Sequence, residues 1–198
     1  SRVKKGKWKD QECETCHGPG SLHAESAEPA QILGFGGSTS TTRINQSCLA
    51  CHQGQETQRG RLLGAHDRNS LNCVNCHSVH GNSRKALLTN QTDALCSSCH
   101  ISQRAAFNRP FNHRLPQGGI SCVNCHNPHG GAPPSSLARV SGNEPSCAQC
   151  HADKRGPFPF EHAPVRLEPC STCHEPHGSA NPRMMTRHNV AQLCLECH

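Results

Sequence analysis

Along the chain, apolar positions recur neither every three to four residues nor in strict alternation over any long stretch. Fourteen prolines and seventeen glycines interrupt what periodicity there is. The pattern predicts mostly coil with little or no β, and short helices at residues 101–107, 135–140 and 86–89 and leading into Cys194. Residues 34–42, rich in glycine, serine and threonine, read as an exposed loop. No run of eighteen apolar residues exists, so no transmembrane helix is predicted.

Eight copies of one pentapeptide account for all sixteen cysteines: Cys13-Glu-Thr-Cys16-His17, Cys48-Leu-Ala-Cys51-His52, Cys73-Val-Asn-Cys76-His77, Cys96-Ser-Ser-Cys99-His100, Cys122-Val-Asn-Cys125-His126, Cys147-Ala-Gln-Cys150-His151, Cys170-Ser-Thr-Cys173-His174 and Cys194-Leu-Glu-Cys197-His198. C-x-x-C-H is the attachment signature of c-type haem. Two thiols form thioethers at the porphyrin edge, and the adjacent imidazole reaches the iron from the same side. Zinc sites and disulfides also use C-x-x-C pairs, but neither requires a histidine at one fixed offset after every pair. The sequence therefore predicts eight covalent haems, each with its iron and a proximal ligand among His17, His52, His77, His100, His126, His151, His174 and His198.

Composition fits a chain built on its cofactors. Hydrophobic residues make up 33% and aromatic residues 3%, with no tyrosine, which is too little for a large core. One porphyrin for roughly every 25 residues would supply the missing apolar surface and staple the chain, as disulfides or zinc staple small folds. The formal charge of +6 invites a search for nucleic acid. Haem propionates reverse that reading: eight haems contribute about −8 when ferric and −16 when ferrous, leaving a holoprotein near −2 or −10. Many basic residues are then expected as propionate partners, and each added electron makes the next less favourable. The basic start, Arg2, Lys4, Lys5, Lys7 and Lys9, reads as a solvated segment.

Two kinds of motif alternate. One is followed closely by a second histidine and a glycine, as in His77-Ser-Val-His80-Gly81, His126-Asn-Pro-His129-Gly130 and His174-Glu-Pro-His177-Gly178, with His17 to His23 a looser version. The motifs at Cys48, Cys96, Cys147 and Cys194 lack this feature. The repeat is therefore a two-haem module: a single elongated domain over residues 1–198, with approximate repeats at 48–95, 96–146 and 147–193 and partial units at 1–47 and 194–198.

Eight histidines lie outside the motifs: His23, His66, His80, His113, His129, His162, His177 and His188. One spare imidazole per motif predicts bis-histidine, coordinatively saturated iron. Met184 and Met185 are alternative ligands for the last iron, though adjacent methionines more often pack. Two axial histidines need Cα atoms about 13 Å apart, whereas three extended residues span at most about 11 Å. His80, His129 and His177 therefore cannot cap the irons of His77, His126 and His174 and must reach different ones. The glycine after each lets the backbone turn without a Cβ clash, or marks a plain turn. The irons of His66, His113 and His162 stay unassigned at this level.

The segments from His113 to Gly130 and from Phe160 to Met185, with their C-H-x-P-H-G pairing, resemble the MtrA/DmsE family of periplasmic multihaem cytochromes. The likeness runs from about Cys48 to the end. It implies a bis-histidine haem wire which, in the best-known members, threads an outer-membrane β-barrel porin and feeds a cell-surface cytochrome. Typical members carry ten haems, so eight imply a shorter wire, similar to the octahaem inner cytochrome of porin-cytochrome conduits in metal-reducing bacteria. Expected partners are that porin, an extracellular multihaem cytochrome and periplasmic electron carriers, with no nucleic acid. The expected location is the periplasm, against or within the outer membrane. Since haem is attached outside the cytoplasm, a leader peptide is expected upstream of Ser1, and the ending on a ligand, His198, suggests further chain. A filament subunit and a soluble periplasmic carrier are the competing readings. An octahaem reductase fits less well, because there is neither C-x-x-C-K nor any tyrosine, so the protein reads as a non-enzyme.

Overall fold

The computed structural model describes residues 11–58, 60–80, 83–130, 146–154 and 156–198. The basic start at Arg2 to Lys9 and the helix expected at 135–140 lie outside these residues. The chain divides into two compact units, one formed by Ser1–Asn90 with Pro128–Ser135 and the other by Gln91–Asn127 with Ser136–His198.

In the first unit the helices are α1 (Cys13–His17), α2 (Ser21–Ser26), α3 (Thr41–His52), α4 (Ala65–Arg68) and α5 (Cys73–Cys76). In the second they are α6 (Thr92–Ser97), α7 (Ile101–Ala106), α8 (Ala163–Leu167) and α9 (Val190–Cys194). Short 3-10 turns and coil make up the rest. No strand forms among the described residues, and backbone pairing outside helices includes three isolated antiparallel bridges, His77 with Leu88, Phe111 with Ser179 and His174 with Met185. None of the helices described is long and apolar enough to cross a membrane.

Helix α7 and the helix into Cys194 stand where the sequence places them. Two expectations need correction. Residues 86–89 form no helix: a 3-10 turn covers Lys85–Leu87, with Ala86 in the left-handed region at φ 54°. The loop expected over 34–42 ends at Ser40, whose hydroxyl accepts the Arg43 backbone N–H and starts the twelve-residue helix α3. That helix has no apolar stripe because it buries only Ile44 and Asn45.

Asn45 has a specific task. Its side-chain oxygen accepts the backbone N–H of Cys73 at 3.0 Å and the thiol at 3.2 Å, holding the start of α5 against α3. Asp93 does the same in the second unit, accepting the Cys122 N–H at 3.1 Å and the Ser121 hydroxyl at 2.8 Å. Both acceptors sit three residues before a motif cysteine, Cys48 and Cys96. Asn75 and Asn124, inside the two Cys-Val-Asn-Cys motifs, accept the backbone N–H of Asn72 and Ser121 in turn, each at 2.7 Å.

Among the described residues the buried large apolar side chains are Ile44, Phe107 and Leu115. Others stand exposed beside motif or spare histidines, as Leu22 does beside His23, Val79 beside His80, Ile101 beside His100 and Phe160, 95% exposed, near His162. A core this small rests on polar pins such as Asn45. Replacing Asn45 with alanine leaves the Cys73 N–H without its acceptor in a half-buried site and is expected to lower stability by about 1–3 kcal/mol. Denaturant unfolding of the haem-loaded protein checks this, with Asn45→Asp, which keeps an acceptor, losing less.

Candidate haem sites

Each motif contains a helical turn. The histidine N–H donates to the carbonyl of the first cysteine at 2.9–3.0 Å in the motifs at Cys73, Cys96, Cys122, Cys147, Cys170 and Cys194. Positions i, i+3 and i+4 of such a turn share one face. Both thiols and the imidazole therefore project to the same side, as two thioethers and one axial ligand require.

The imidazoles are oriented through Nδ1. Among motif histidines, Nδ1 of His17 meets the Leu33 carbonyl at 2.6 Å, that of His77 the Ala86 carbonyl at 2.7 Å and that of His174 the Arg183 carbonyl at 3.1 Å. Among the spare histidines, His23 meets Glu28 at 2.9 Å, His66 meets Pro128 at 2.9 Å and His113 meets Pro176 at 2.8 Å. A carbonyl can only accept, so Nδ1 carries the proton and the Nε2 lone pair is left for a metal. The carbonyls of Ala86 and Arg183 come from residues held at φ 54° and 57°, positions costly for a side chain. Their left-handed turns aim those carbonyls at His77 and His174. No sequence signal marks such carbonyl donors, since every residue carries one.

Facing ring pairs among the described residues include His17 with His80 at 5.9 Å between centroids, His77 with His129 at 6.0 Å, His126 with His177 at 6.0 Å, His113 with His151 at 6.3 Å and His162 with His198 at 6.2 Å. Each joins a motif histidine to a spare one. A metal–imidazole bond of about 2.0–2.1 Å on each side, plus about 1.2 Å from nitrogen to ring centre, puts two axial imidazoles roughly 6.4 Å apart. The observed gaps thus have the width of one iron. Four pairs are nearly parallel, 13–26° between planes, and His113 with His151 is tilted by 60°. As the reach argument demands, His80, His129 and His177 lie beside histidines of other motifs. Burial pushes the imidazoles of His129 and His177 below the ordinary histidine value, with neighbouring histidines adding to it, which favours the neutral, metal-binding form.

The remaining predicted ligands are placed differently. His23 is turned onto its own loop by Glu28, His66 is turned by Pro128, His100 stands at the N-terminal end of α7, and His174 is fixed by Arg183. His52 ends α3 and His188 is exposed just before α9. The rings of His23, His52, His174 and His188 enter no facing histidine pair among the described residues.

First cysteines of different motifs also meet. A mutual hydrogen bond between the Cys48 and Cys73 thiols raises the pKa of Cys48 and lowers that of Cys73. Burial and then the Asp93 carboxylate push Cys122, which neighbours Cys96, up to about 12. Burial, followed by the nearby Cys170, raises Cys147. The thioether edges of the attached groups would therefore approach one another in the pairs Cys48/Cys73, Cys96/Cys122 and Cys147/Cys170. The sequence shows the cysteines but not Asn45 and Asp93, whose shared offset before Cys48 and Cys96 is the only trace of their role.

The sequence profile of the family described as the doubled CXXCH motif matches residues 66–105, 113–156 and 162–198. The chain belongs to this family. It is a multihaem c-type cytochrome. The cytochrome is 41% identical over 189 residues, 94% of its length, to a protein of Shewanella baltica (strain OS185) named multiheme cytochrome MtrA, and spans 55% of that relative. Among solved structures, an undecaheme cytochrome from the S-layer of Carboxydothermus ferrireducens is similar over 58% of this chain and 31% of its own, at 19% identity and a TM-score of 0.39.

With so few buried apolar side chains, the cytochrome should depend on haem for its fold. Made in a compartment where haem is not attached, the chain is expected to show no cooperative thermal transition by circular dichroism. The haem-loaded form should show one.

Proposed function

We propose that the cytochrome is an octahaem electron-transfer protein with bis-histidine iron throughout. The observation that carries this reading is the set of five facing imidazole pairs at 5.9–6.3 Å, each drawing one ring from a motif and one from elsewhere. On this reading His80 is the second ligand to the iron of His17, His129 to that of His77, His177 to that of His126, His113 to that of His151 and His162 to that of His198. His23, His66 and His188 supply the distal ligands to the irons of His52, His100 and His174. The sixteen motif cysteines carry the thioethers.

Iron with both axial positions filled has no place for a substrate and exchanges electrons at the porphyrin edge. The chain then contributes position, potential and insulation, which is work for a carrier and not for an oxidoreductase active site. The neighbouring first cysteines Cys48/Cys73, Cys96/Cys122 and Cys147/Cys170 support two-haem modules at 48–95, 96–146 and 147–193, in which the paired haems would approach edge to edge.

The family resemblance extends the proposal. The protein would sit in the periplasm against or within the outer membrane and pass electrons through a β-barrel porin to an extracellular multihaem cytochrome, for extracellular respiration. Purification in mild detergent tests the proposal directly. Mass analysis should give eight haems per chain together with a β-barrel and a second cytochrome. A lone soluble monomer or a helical fibre would overturn the conduit, and a substantial high-spin fraction in the intact protein would overturn the saturated iron.

A further inference from the structure

The loop after His174 is fastened more firmly than the delivery of one ligand requires. Gly178 lies at φ +136°, and a Cβ on it would stand 2.3 Å from the Ala106 carbonyl oxygen at the end of α7. Next to it, Phe111 and Ser179 exchange backbone hydrogen bonds at 3.2 and 2.8 Å, and Ser179 is 2% exposed. The Arg109 guanidinium donates to the Glu175 carboxylate at 2.5 Å and to the Gly178 carbonyl at 3.0 Å. Once seated, the loop places the His177 ring against that of His126, and it presents the Pro176 carbonyl to Nδ1 of His113, whose ring faces His151.

The first unit repeats the arrangement with different residues. Gly130, at φ +117°, packs on Gly60 and Gly64, where a Cβ would meet backbone at 2.9 Å. The Pro128 carbonyl takes Nδ1 of His66, and His129 faces His77. In both units the H-x-P-H-G glycine seats the loop on the segment just before the histidine that the proline carbonyl orients.

We infer that the Glu175–Ser179 loop is a junction that positions the distal ligands of two irons at once, His177 directly and His113 through the Pro176 carbonyl, and that Gly178 is its key positioning residue. The inference rests on the ligand assignment proposed above. An imidazole whose Nδ1–H is held by a carbonyl keeps its ring plane and its basicity, so withdrawing Pro176 weakens His113 as a ligand even though His113 itself is untouched. A plain turn glycine would affect His177 alone.

The test compares haem-loaded, full-length Gly178→Ala and His177→Ala, each first shown to carry the wild-type haem content. High-spin haem is counted by electron paramagnetic resonance, and cyanide-binding equivalents are counted per chain. His177→Ala should open one haem and Gly178→Ala two. Arg109→Gln, which loosens the clasp without adding a Cβ, guards against a Gly178 variant that does not mature; it should speed cyanide uptake at two haems. One haem or none affected in Gly178→Ala, or in Arg109→Gln where the former does not mature, overturns the junction while leaving the ligand assignment intact. A His177→Ala protein with no opened haem overturns the assignment and the junction together.

Discussion

The reach of an imidazole toward a metal governs this structure. Two rings about 6 Å apart hold two distant stretches of chain together only if something between them bonds to both. The five facing pairs join residues 36 to 63 positions apart in sequence. In the chain-entropy picture used for disulfides, each such closure removes about 4 kcal/mol of freedom from the unfolded chain. Buried Ile44, Phe107 and Leu115 could not replace several such closures. Leu22, Val79, Ile101 and Phe160, next to or near histidines in sequence, leave exposed apolar surface for a flat apolar partner to cover.

Everything else in the fold supports that reach. The helical turn in each motif gathers two thiols and an imidazole on one side. Backbone carbonyls fix the proton on Nδ1 and turn the rings, and two of these carbonyls belong to Ala86 and Arg183, which adopt the left-handed region. Asn45 and Asp93 pin the start of one motif to the helix of the preceding one, bringing first cysteines together. These are polar devices acting over short distances. They explain how a chain with mean hydropathy of −0.68 can have a defined structure.

Much of this was legible in the sequence, for an identifiable reason. Haem attachment demands fixed covalent spacing, so the motifs, and with them a multihaem c-type cytochrome, could be read directly. The three-residue step from His77 to His80 is too short for two ligands of one iron, and the His80 ring does lie beside a histidine of another motif, His17. Partner choice was not legible, because spacing only excludes; which ring faces His17 depends on the path of sixty intervening residues. Helix α3 leaves no periodicity to detect, because its stability comes from the Ser40 cap and one buried isoleucine. The turn at Ala86 reads as helical in the sequence because nothing in an alanine announces a positive φ.

The shared loops limit how the sites can be tuned. Here the His174 segment holds a motif histidine, supplies the ring facing His126 and lends a carbonyl to the ring facing His151. A substitution that shifts this backbone would alter several iron environments together. Coupling of this kind would hinder an enzyme, which must set one site apart from the rest, but it suits a row of similar centres whose value lies in fixed spacing. The same economy explains why glycine occupies positions 130 and 178: a single Cβ there would displace a loop on which more than one imidazole depends.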